Sequence, residues 1–510
     1  MSSRCIGCLP KLEAFLKSHL AYAAAAGALT VAGFAPASVF PLPIFALCLL
    51  LFLWREAAPR AAFFIGFAFG AGLFGAGVSW VYVSLHDFGS MPAPLAAIGT
   101  FAFCAILSLY PAAAGWGLAR LRPRLPVSAY LALPALWTLF EWLRGWIFTG
   151  VPWLALGYSQ IDSPLAGLAP VAGVYGVSFA TALCAGLLCL IIAGTRRARI
   201  AGAVTLVLVF GLGQLLKQID WTTAQGAPLK VALLQGNVSQ DLKFQAGRYA
   251  ATLATYKRLI EASDARLIVL PETAIPRFLE AVDPGYLSDI ARFAAGRGAD
   301  VLIGVPIRDP DRRYFNSVIS AGASPGQRYD KAHLVPFGEF VPWGFHWVVK
   351  TVAIPMSDFS LGKENPKPLE LAGQRIAPNI CWEDAFGEEI IRQLPEATLL
   401  VNVSNVAWFG DSLAPSQHLQ ISRMRAIETG RFMLRSTNTG MTAIIDPRGK
   451  VVARLPQFTE GILAGEARGY TGATPYVRWG NTPIVLVSLA LIAVIALRRR
   501  RVLGAPEESR

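Results

Sequence analysis

Long apolar runs constrain this chain more than any other feature of its sequence. Most of them approach the roughly 20 residues that a helix needs to cross a bilayer, although the second and the last are shorter. The runs lie at about residues 19–36, 41–54, 61–84, 91–118, 128–147, 166–194, 200–216 and 482–497. We therefore predict a membrane α-helical bundle of eight spans, with a long hydrophilic block between the seventh and the eighth.

The spacing of these runs divides the chain into three predicted domains. Residues 1–216 are expected to form seven transmembrane helices, residues 217–480 an α/β domain, and residues 481–510 the eighth helix and a basic tail. A mean hydropathy of +0.46 and a charged fraction of 15% are typical of a membrane-embedded protein and not of an ordinary soluble enzyme.

Lysine and arginine in the connections predict the orientation. The alternate connections, such as His86–Met91, carry no basic residue. By the positive-inside rule both termini are cytoplasmic, and the block 217–480 lies outside the membrane. This holds if the first span is retained; the alternative is a signal peptide cleaved after Ala35–Ala37. The basic residues that define the inner face are Arg4, Lys11, Lys17, Arg55, Arg60, Arg120, Arg122, Arg124, Arg196, Arg197, Arg199, Arg498, Arg499, Arg500, Arg501 and Arg510.

The same residues account for most of the net charge of +13, so the basic composition reflects membrane topology and does not indicate nucleic-acid binding. Two charges inside a span, Glu141 and Arg144, are spaced to meet on one helical face, and we expect a structural ion pair there. The histidines form no ligand cluster, so we expect no metal and no cofactor.

Cys381 is the only cysteine of the hydrophilic block, in the stretch Asn379–Phe386, "NICWEDAF". With no partner in an oxidising compartment, it is a candidate catalytic thiol, and the alternative is a small buried apolar side chain. Glu383 and Asp384 are unfavourable neighbours for a nucleophile, because negative charges raise the pKa of a thiol. Side chains at adjacent positions of a strand point to opposite faces, so we expect Glu383 to be near in sequence without meeting the thiolate.

Short β-branched runs alternate with helical segments across the block, which predicts a layered α/β domain. Helices are expected at residues 248–260, 286–295 and 417–429, and a hairpin at 446–449. Glu272, Lys331 and Cys381 each follow the end of a strand, so we expect them to converge. The predicted strands begin at Leu229, Leu267, Val301, Phe315, Ile376, Leu399, Phe432 and Met441.

Four segments together resemble the nitrilase superfamily: "LPETAIP" (270–276), "YDKAHLVPFGEFVP" (329–342), "NICWEDAF" (379–386) and "SNVAWFGDS…QHLQISRMRAIETGR" (404–431). With the membrane spans, nearly the whole chain is similar to the apolipoprotein N-acyltransferase family. The resemblance implies an αββα sandwich and a catalytic glutamate, lysine and cysteine. It makes Glu272 the general base, Lys331 the cation at the oxyanion, Cys381 the nucleophile and Glu339 a supporting acid.

Further roles follow from the same resemblance and from local chemistry. Lys331 is expected to favour the thiolate of Cys381, and to form an oxyanion hole with the main-chain N–H of Trp382. Lys331 and Glu339 could instead be a solvated surface pair. The aromatic segment 342–356 is a candidate lid at the membrane surface, or else a buried loop. The expected substrate-binding residues are Trp382, Glu383, Phe244, Trp408, Trp343 and Phe345.

The resemblance implies the substrates as well. A phospholipid in the bacterial inner membrane would donate an acyl chain to Cys381, and the α-amine of the N-terminal diacylglyceryl-cysteine of an apolipoprotein would accept it. Membrane lipids are then the surroundings of the protein, and we expect a monomer. Two other functions stay open: a membrane-anchored amidase of the nitrilase type, and a transporter or lipid-binding protein with a degenerate outer domain.

Three positions depart from the family pattern. Trp382 stands where tyrosine is common, Val406 where aspartate is common, and Phe244 where tryptophan is frequent. None of these positions is one of the expected catalytic groups.

Overall fold

The computed structural model describes residues 9–121, 126–243, 245–341 and 358–503. The chain divides into two compact units. The helical unit comprises Met1–Ser79, Ala97–Ile219 and Asn481–Arg510, and the α/β unit comprises Trp80–Ala96 and Asp220–Gly480. The connection between the third and fourth apolar runs therefore belongs to the α/β unit.

Helices dominate the first part of the chain. Five segments are long and apolar enough to cross a membrane, namely Pro59–Gly77, Ala93–Leu121, Pro164–Ala193, Arg196–Leu216 and Thr482–Arg499, and Pro41–Trp54 is a shorter apolar helix. The protein is thus a multi-pass membrane protein. The helices up to residue 216 are α1 (Leu9–Thr30), α2 (Pro41–Trp54), α3 (Pro59–Gly77), α4 (Val81–Val83), α5 (Ala93–Leu121), α6 (Pro126–Arg144), α7 (Ala169–Ala193) and α8 (Arg196–Leu216).

The connection between α6 and α7 is irregular and largely buried inside the helical unit. Arg144 Nη1 donates to the carbonyls of Val151 (2.5 Å) and Trp153 (2.6 Å), and Glu141 Oε1 accepts from the main-chain N–H of Leu156 (2.9 Å). Each side chain thus binds this connection, and the two charges also act on each other electrostatically, so the expected ion pair stays a prediction. Their charges satisfy main-chain groups that lipid could not.

The α/β unit contains twelve strands in the part of the chain that the structure describes. Its elements in chain order are β1 (Thr223–Gln235), α9 (Gln240–Lys243), α10 (Ala246–Glu261), β2 (Leu267–Val269), α11 (Pro284–Ala295), β3 (Asp300–Arg308), β4 (Tyr314–Gly322), β5 (Arg328–Asp330), β6 (Leu369–Leu371), β7 (Gln374–Ile380), α12 (Gly387–Ile390), β8 (Leu399–Ser404), α13 (Ala414–Thr429), β9 (Met433–Thr437), β10 (Ala443–Ile445), β11 (Val451–Arg454), β12 (Gly461–Thr471) and α14 (Pro475–Trp479). The chain continues into α15 (Thr482–Leu503).

These strands form two mixed sheets of six strands, in the orders β12-β1-β2-β3-β4-β5 and β11-β10-β9-β8-β7-β6. The central pairs β1/β2, β2/β3, β7/β8 and β8/β9 are parallel. Val231 and Leu233 of β1 pack in the core that contains residues of both sheets, whereas Ala232 and Leu234 pack in a core shared with α10 and α11. This alternation buries residues 231–235 of β1 on both faces, as expected for a strand between two layers.

Residues of α13 pack with β8 and β9 in a third core, so helices cover the outer face of each sheet. The α/β sandwich expected from the sequence is confirmed. The hairpin at 446–449 is confirmed too, because β10 pairs antiparallel with β11 and Gly449 N–H donates to Asp446 O. The sequence did not indicate β12, whose partly exposed residues pair with β1 without a continuous apolar run.

Candidate active site

Glu272 lies in the turn that follows β2, where it is 7% exposed. Its Oε1 accepts from Asn316 Nδ2 of β4 at 2.8 Å, and its Oε2 accepts from the main-chain N–H of Asn405 at 2.8 Å. Gly304 of β3 allows the turn to come close, because a Cβ there would lie 2.3 Å from the carbonyl oxygen of Pro271. The carboxylate is therefore held by strands of both sheets.

Lys331 follows β5 directly and is 1% exposed. Its Nζ lies 2.8 Å from Glu339 and 3.7 Å from Glu272 Oε1. Burial alone would lower the pKa of Lys331, but the charges of Glu339 and Glu272 outweigh it and raise the pKa above its ordinary value. Lys331 is thus a permanently charged cation between two acids, and the alternative of a solvated surface pair is wrong.

Glu339 completes this arrangement. Its Oε1 accepts from Lys331 Nζ and from Asn316 Nδ2, each at 2.8 Å, and its Oε2 accepts from the main-chain N–H of Val335 at 2.8 Å. Asn316 thus donates one amide group to both carboxylates. Sequence reasoning missed Asn316, although an amide in the apolar run 315–319 was a detectable signal.

Cys381 begins a tight helical turn, Cys381–Ala385, at the end of β7. Its φ of 58° lies in the left-handed region, which is costly for a residue with a side chain. Its carbonyl oxygen accepts from Asn402 Nδ2 at 2.8 Å and lies 3.2 Å from His418 Nε2. These buried side chains hold the main chain of Cys381 in its strained conformation.

The thiol of Cys381 is buried beside the acidic residues. Burial and the charge of Glu272 raise the pKa of Cys381 above its ordinary value, and Lys331 opposes this only in part. Lys331 acts in the expected direction, since its charge lowers the pKa of Cys381, but burial and Glu272 outweigh it. The resting cysteine keeps its proton, and Glu272 is close enough for its charge to act on the sulfur.

The expectation from strand alternation is wrong, because a strand places residues 381 and 383 on the same face. Residues 381–385 form a turn instead, and Glu383 is held by other groups. Its Oε2 accepts from the N–H of Ile380 (2.6 Å) and the hydroxyl of Tyr329 (2.9 Å), and its Oε1 from the N–H groups of Ala332 (2.7 Å) and His333 (3.0 Å). Burial raises the pKa of Glu383 to about 7. These protein contacts favour a bracing role for Glu383 over the substrate contact that we expected.

Asp384 belongs to a second buried network. Its Oδ1 lies 2.7 Å from His418 Nε2, and its Oδ2 accepts from Ser422 Oγ and lies 3.4 Å from Arg435 Nη1. Arg435 also donates to Asn402 Oδ1 at 2.5 Å. Both acids that follow Cys381 are therefore bound by other groups, and neither confronts the thiol.

The structure describes only some of the aromatic residues that we expect to bind substrate. Trp382 Nε1 donates to the carbonyl of His333 at 3.1 Å, so the indole N–H braces the loop after Lys331. The ring of Trp408 lies 6.4 Å from that of Phe88, in the connection 80–96. Phe244, Trp343, Phe345 and the lid expected at 342–356 lie outside the described residues. Among the described residues, no group of three or more acidic, histidine or cysteine side chains could hold a metal ion.

Comparisons with known proteins show the family of the chain. Residues 26–187 match the apolipoprotein N-acyltransferase N-terminal domain, and residues 230–476 match the carbon-nitrogen hydrolase family. An apolipoprotein N-acyltransferase of Nitrosomonas europaea is 50% identical over 481 residues, covering 93% of this chain and 96% of the relative. The chain belongs to the apolipoprotein N-acyltransferase family.

A second apolipoprotein N-acyltransferase, from Chromobacterium violaceum, is 46% identical and covers 94% of each chain. Two solved structures are similar over 50% of this chain, each with a TM-score of 0.38: the C. elegans NitFhit protein, 19% identical with 63% of its chain covered, and a mutant nitrilase-superfamily amidase of Nesterenkonia AN1, 15% identical with 94% covered. As an apolipoprotein N-acyltransferase, the protein is an acyltransferase of the nitrilase superfamily with membrane helices.

Proposed function

We propose that the protein transfers an acyl chain from a phospholipid to Cys381 and then to the α-amine of the N-terminal diacylglyceryl-cysteine of an apolipoprotein. The observation that carries this proposal is the cluster of Glu272, Lys331 and Glu339 joined by contacts of 2.8 to 3.7 Å and coupled electrostatically to Cys381. The relatives, whose name states N-acylation of apolipoproteins, supply the substrate class.

In the first half-reaction the sulfur of Cys381 attacks the ester carbonyl of the phospholipid. The S–H proton passes to Glu272, because the resting thiol is neutral and needs a base as the S–C bond forms. Lys331 and the N–H of Trp382 stabilise the negative oxygen of the tetrahedral intermediate. Glu272 then returns its proton to the leaving alcohol, and a thioester and a lysophospholipid result.

In the second half-reaction the α-amine attacks the thioester. Glu272 accepts a proton from the nitrogen and passes it to the departing sulfur, which restores Cys381 and releases the amide. An α-amine has a pKa near 7.7 to 8.0, so a useful fraction is neutral at physiological pH, in contrast to a lysine side chain near 10.4. The two lipids use one site in turn, and the site must exclude water from the thioester.

We propose the domain boundaries 1–216, 217–480 and 481–510, with eight spans and both termini in the cytoplasm of a bacterium. The α/β unit then lies on the periplasmic side of the inner membrane. Contacts of the connection 80–96 support this orientation: Trp80 Nε1 donates to Gln417 at 3.2 Å, and its ring lies 4.7 Å from that of Phe409. A connection without basic residues, which the charge rule assigns to the outer face, thus packs within the α/β unit.

We also propose that the aromatic segment with Trp343 and Phe345 admits lipid. Phe244 and Trp408 would contact acyl chains, and the alternative is that they are core residues. The protein would act as a monomer. It needs no cofactor in this reaction, and its partners are membrane lipid, the phospholipid donor and the apolipoprotein, with no role for nucleic acid.

Mass spectrometry of Cys381 after incubation with phospholipid vesicles tests the proposal. The peptide that contains Cys381 should gain the mass of one fatty acyl chain, and an apolipoprotein peptide should then remove it. Cys381→Ser, which changes little volume, should fold and form no thioester. Turnover of soluble amides by a protein that never becomes acylated would contradict acyl transfer and favour an amidase.

A further inference from the structure

Among the active-site residues that the family resemblance identifies, the acidic side chains outnumber the basic ones. Glu272 and Glu339 are both carboxylates, they share the amide of Asn316, and Lys331 is the one cation that bonds them in that set. Two carboxylates that share one amide repel each other, so each needs a nearby cation to stay charged. A protonated Glu272 could not accept the proton of Cys381.

A second buried lysine lies beside this cluster. Lys243, at the end of α9, is 2% exposed, and its Nζ donates to the main-chain oxygen of Glu272 at 3.3 Å. The charged groups that act on Lys243 are Glu272, in the turn after β2, and Cys381, in the turn after β7. A buried ammonium is costly unless nearby negative charge offsets it, and these two groups are that charge.

We propose that Lys243 is the second cation of the active site, and that its charge keeps Glu272 ionised and ready to accept the proton of Cys381. This inference rests on the proposed function. Lys243 affects the reaction only through Glu272, since no bond to Lys243 forms or breaks. It is therefore a positioning residue and not a catalytic one.

Burial and nearby charge act on Lys243 in opposite directions. Burial lowers the pKa of Lys243 to about 8, while the charges of Glu272 and Cys381 act in the opposite direction. Lys243 therefore still carries its proton in most molecules at pH 7. Because electrostatic coupling is mutual, the ammonium favours the ionised carboxylate of Glu272 as strongly as the carboxylate favours the ammonium. Arg435 also acts on Glu272 and Cys381, but its guanidinium bonds Asp384 and Asn402. Lys243 is therefore the second cation, after Lys331, that contacts the Glu272 segment itself.

The test compares the pH dependence of Cys381 acylation by phospholipid vesicles in the full-length protein and its variants. In Lys243→Met, the pH at which the rate reaches half its plateau should rise by about one unit, so the rate at a pH below that point falls about tenfold while the plateau at higher pH is kept. Lys243→Arg keeps the charge and should follow the wild type. Lys230→Met removes an exposed lysine that pairs with Asp264, and it serves as the matched control.

Infrared titration gives a readout that does not need turnover. The band of the protonated carboxyl group that Glu272→Gln removes should persist to higher pH in Lys243→Met than in the wild type. Lys243→Gln, a second uncharged variant, carries the test if the methionine variant does not fold. Unchanged profiles in the uncharged variants, or the same loss at every pH, would overturn the proposal. If the wild type forms no acyl adduct, the proposed function fails, and the infrared comparison still decides the role of Lys243.

Discussion

The two sides of the active site are held in different ways. On the side of the first sheet, Glu272, Lys331 and Glu339 bind one another through charged side chains from distant segments. On the side of the second sheet, Cys381 is neutral, and Asn402 and His418 contact its main chain. The first side thus contributes charges that act on the reaction. The second side contributes the nucleophile, whose position depends on one strained residue.

This difference separates two kinds of defect. A variant on the charged side that leaves the remaining charges paired, as Glu272→Gln leaves Lys331 with Glu339, should lose activity with little loss of stability, because paired buried charges contribute little net free energy of folding. A variant on the cysteine side should lose both, because it leaves buried polar groups without partners and releases a strained main chain. Four experiments follow, in order of expected effect.

The largest effect is expected for Glu272→Gln, which keeps the shape of the side chain and removes the base. Cys381 acylation should slow by about 10²- to 10⁴-fold, as is usual when a general base is lost. Single-turnover mass spectrometry measures the rate, and Glu261→Gln on the exposed face of α10 is the control. An acylation rate equal to that of the wild type would remove Glu272 from the mechanism.

The reactivity of Cys381 toward iodoacetamide should reveal its neutral resting state. Because burial and Glu272 raise its pKa, alkylation should increase by about tenfold per pH unit between pH 7 and pH 9, a hundredfold in all, without reaching a plateau. Lys331→Met should slow it further, since Lys331 is the cation that opposes the rise. A plateau already at pH 7 would indicate a preformed thiolate and contradict this account.

Asn316→Ala tests the shared amide on the charged side. Hydrogen bonds to charged groups contribute about 1.5–3 kcal/mol, so acylation should slow by roughly 10- to 100-fold. Lys331 still faces both carboxylates, so the thermal midpoint should fall less than in Asn402→Ala. Asn316→Asp adds a third acid and should be worse than alanine, and an aspartate variant as active as the wild type would exclude the charge argument.

Asn402→Ala tests the side of the cysteine. It removes the donor to the carbonyl of Cys381 and an acceptor of Arg435, and each buried group left unpaired costs about 1–3 kcal/mol. Thermal unfolding should therefore occur at a lower temperature, together with slower acylation. A loss of activity with an unchanged unfolding temperature would show that the two sides do not differ as described.

The sequence by itself determined much of this protein. Apolar runs near the thickness of a bilayer require membrane helices, and β-branched runs between helical segments require a layered sheet domain, because both patterns are local consequences of burying apolar side chains. The positions of Glu272, Lys331 and Cys381 at strand ends also predicted their convergence. Asn316 and Lys243 were missed, since their contacts join residues far apart in the chain.

Only the tertiary structure decided how the acids beside Cys381 are neutralised. The sequence placed Glu383 and Asp384 next to the thiol and suggested strand alternation, whereas a tight turn directs Glu383 to the loop after Lys331 and Asp384 to His418. The resting protonation of Cys381 was likewise inaccessible, because burial and the distance to distant charges set a pKa. The local pattern of apolar residues predicts which side chains are buried. Only the assembled fold determines which charged groups lie close to those side chains.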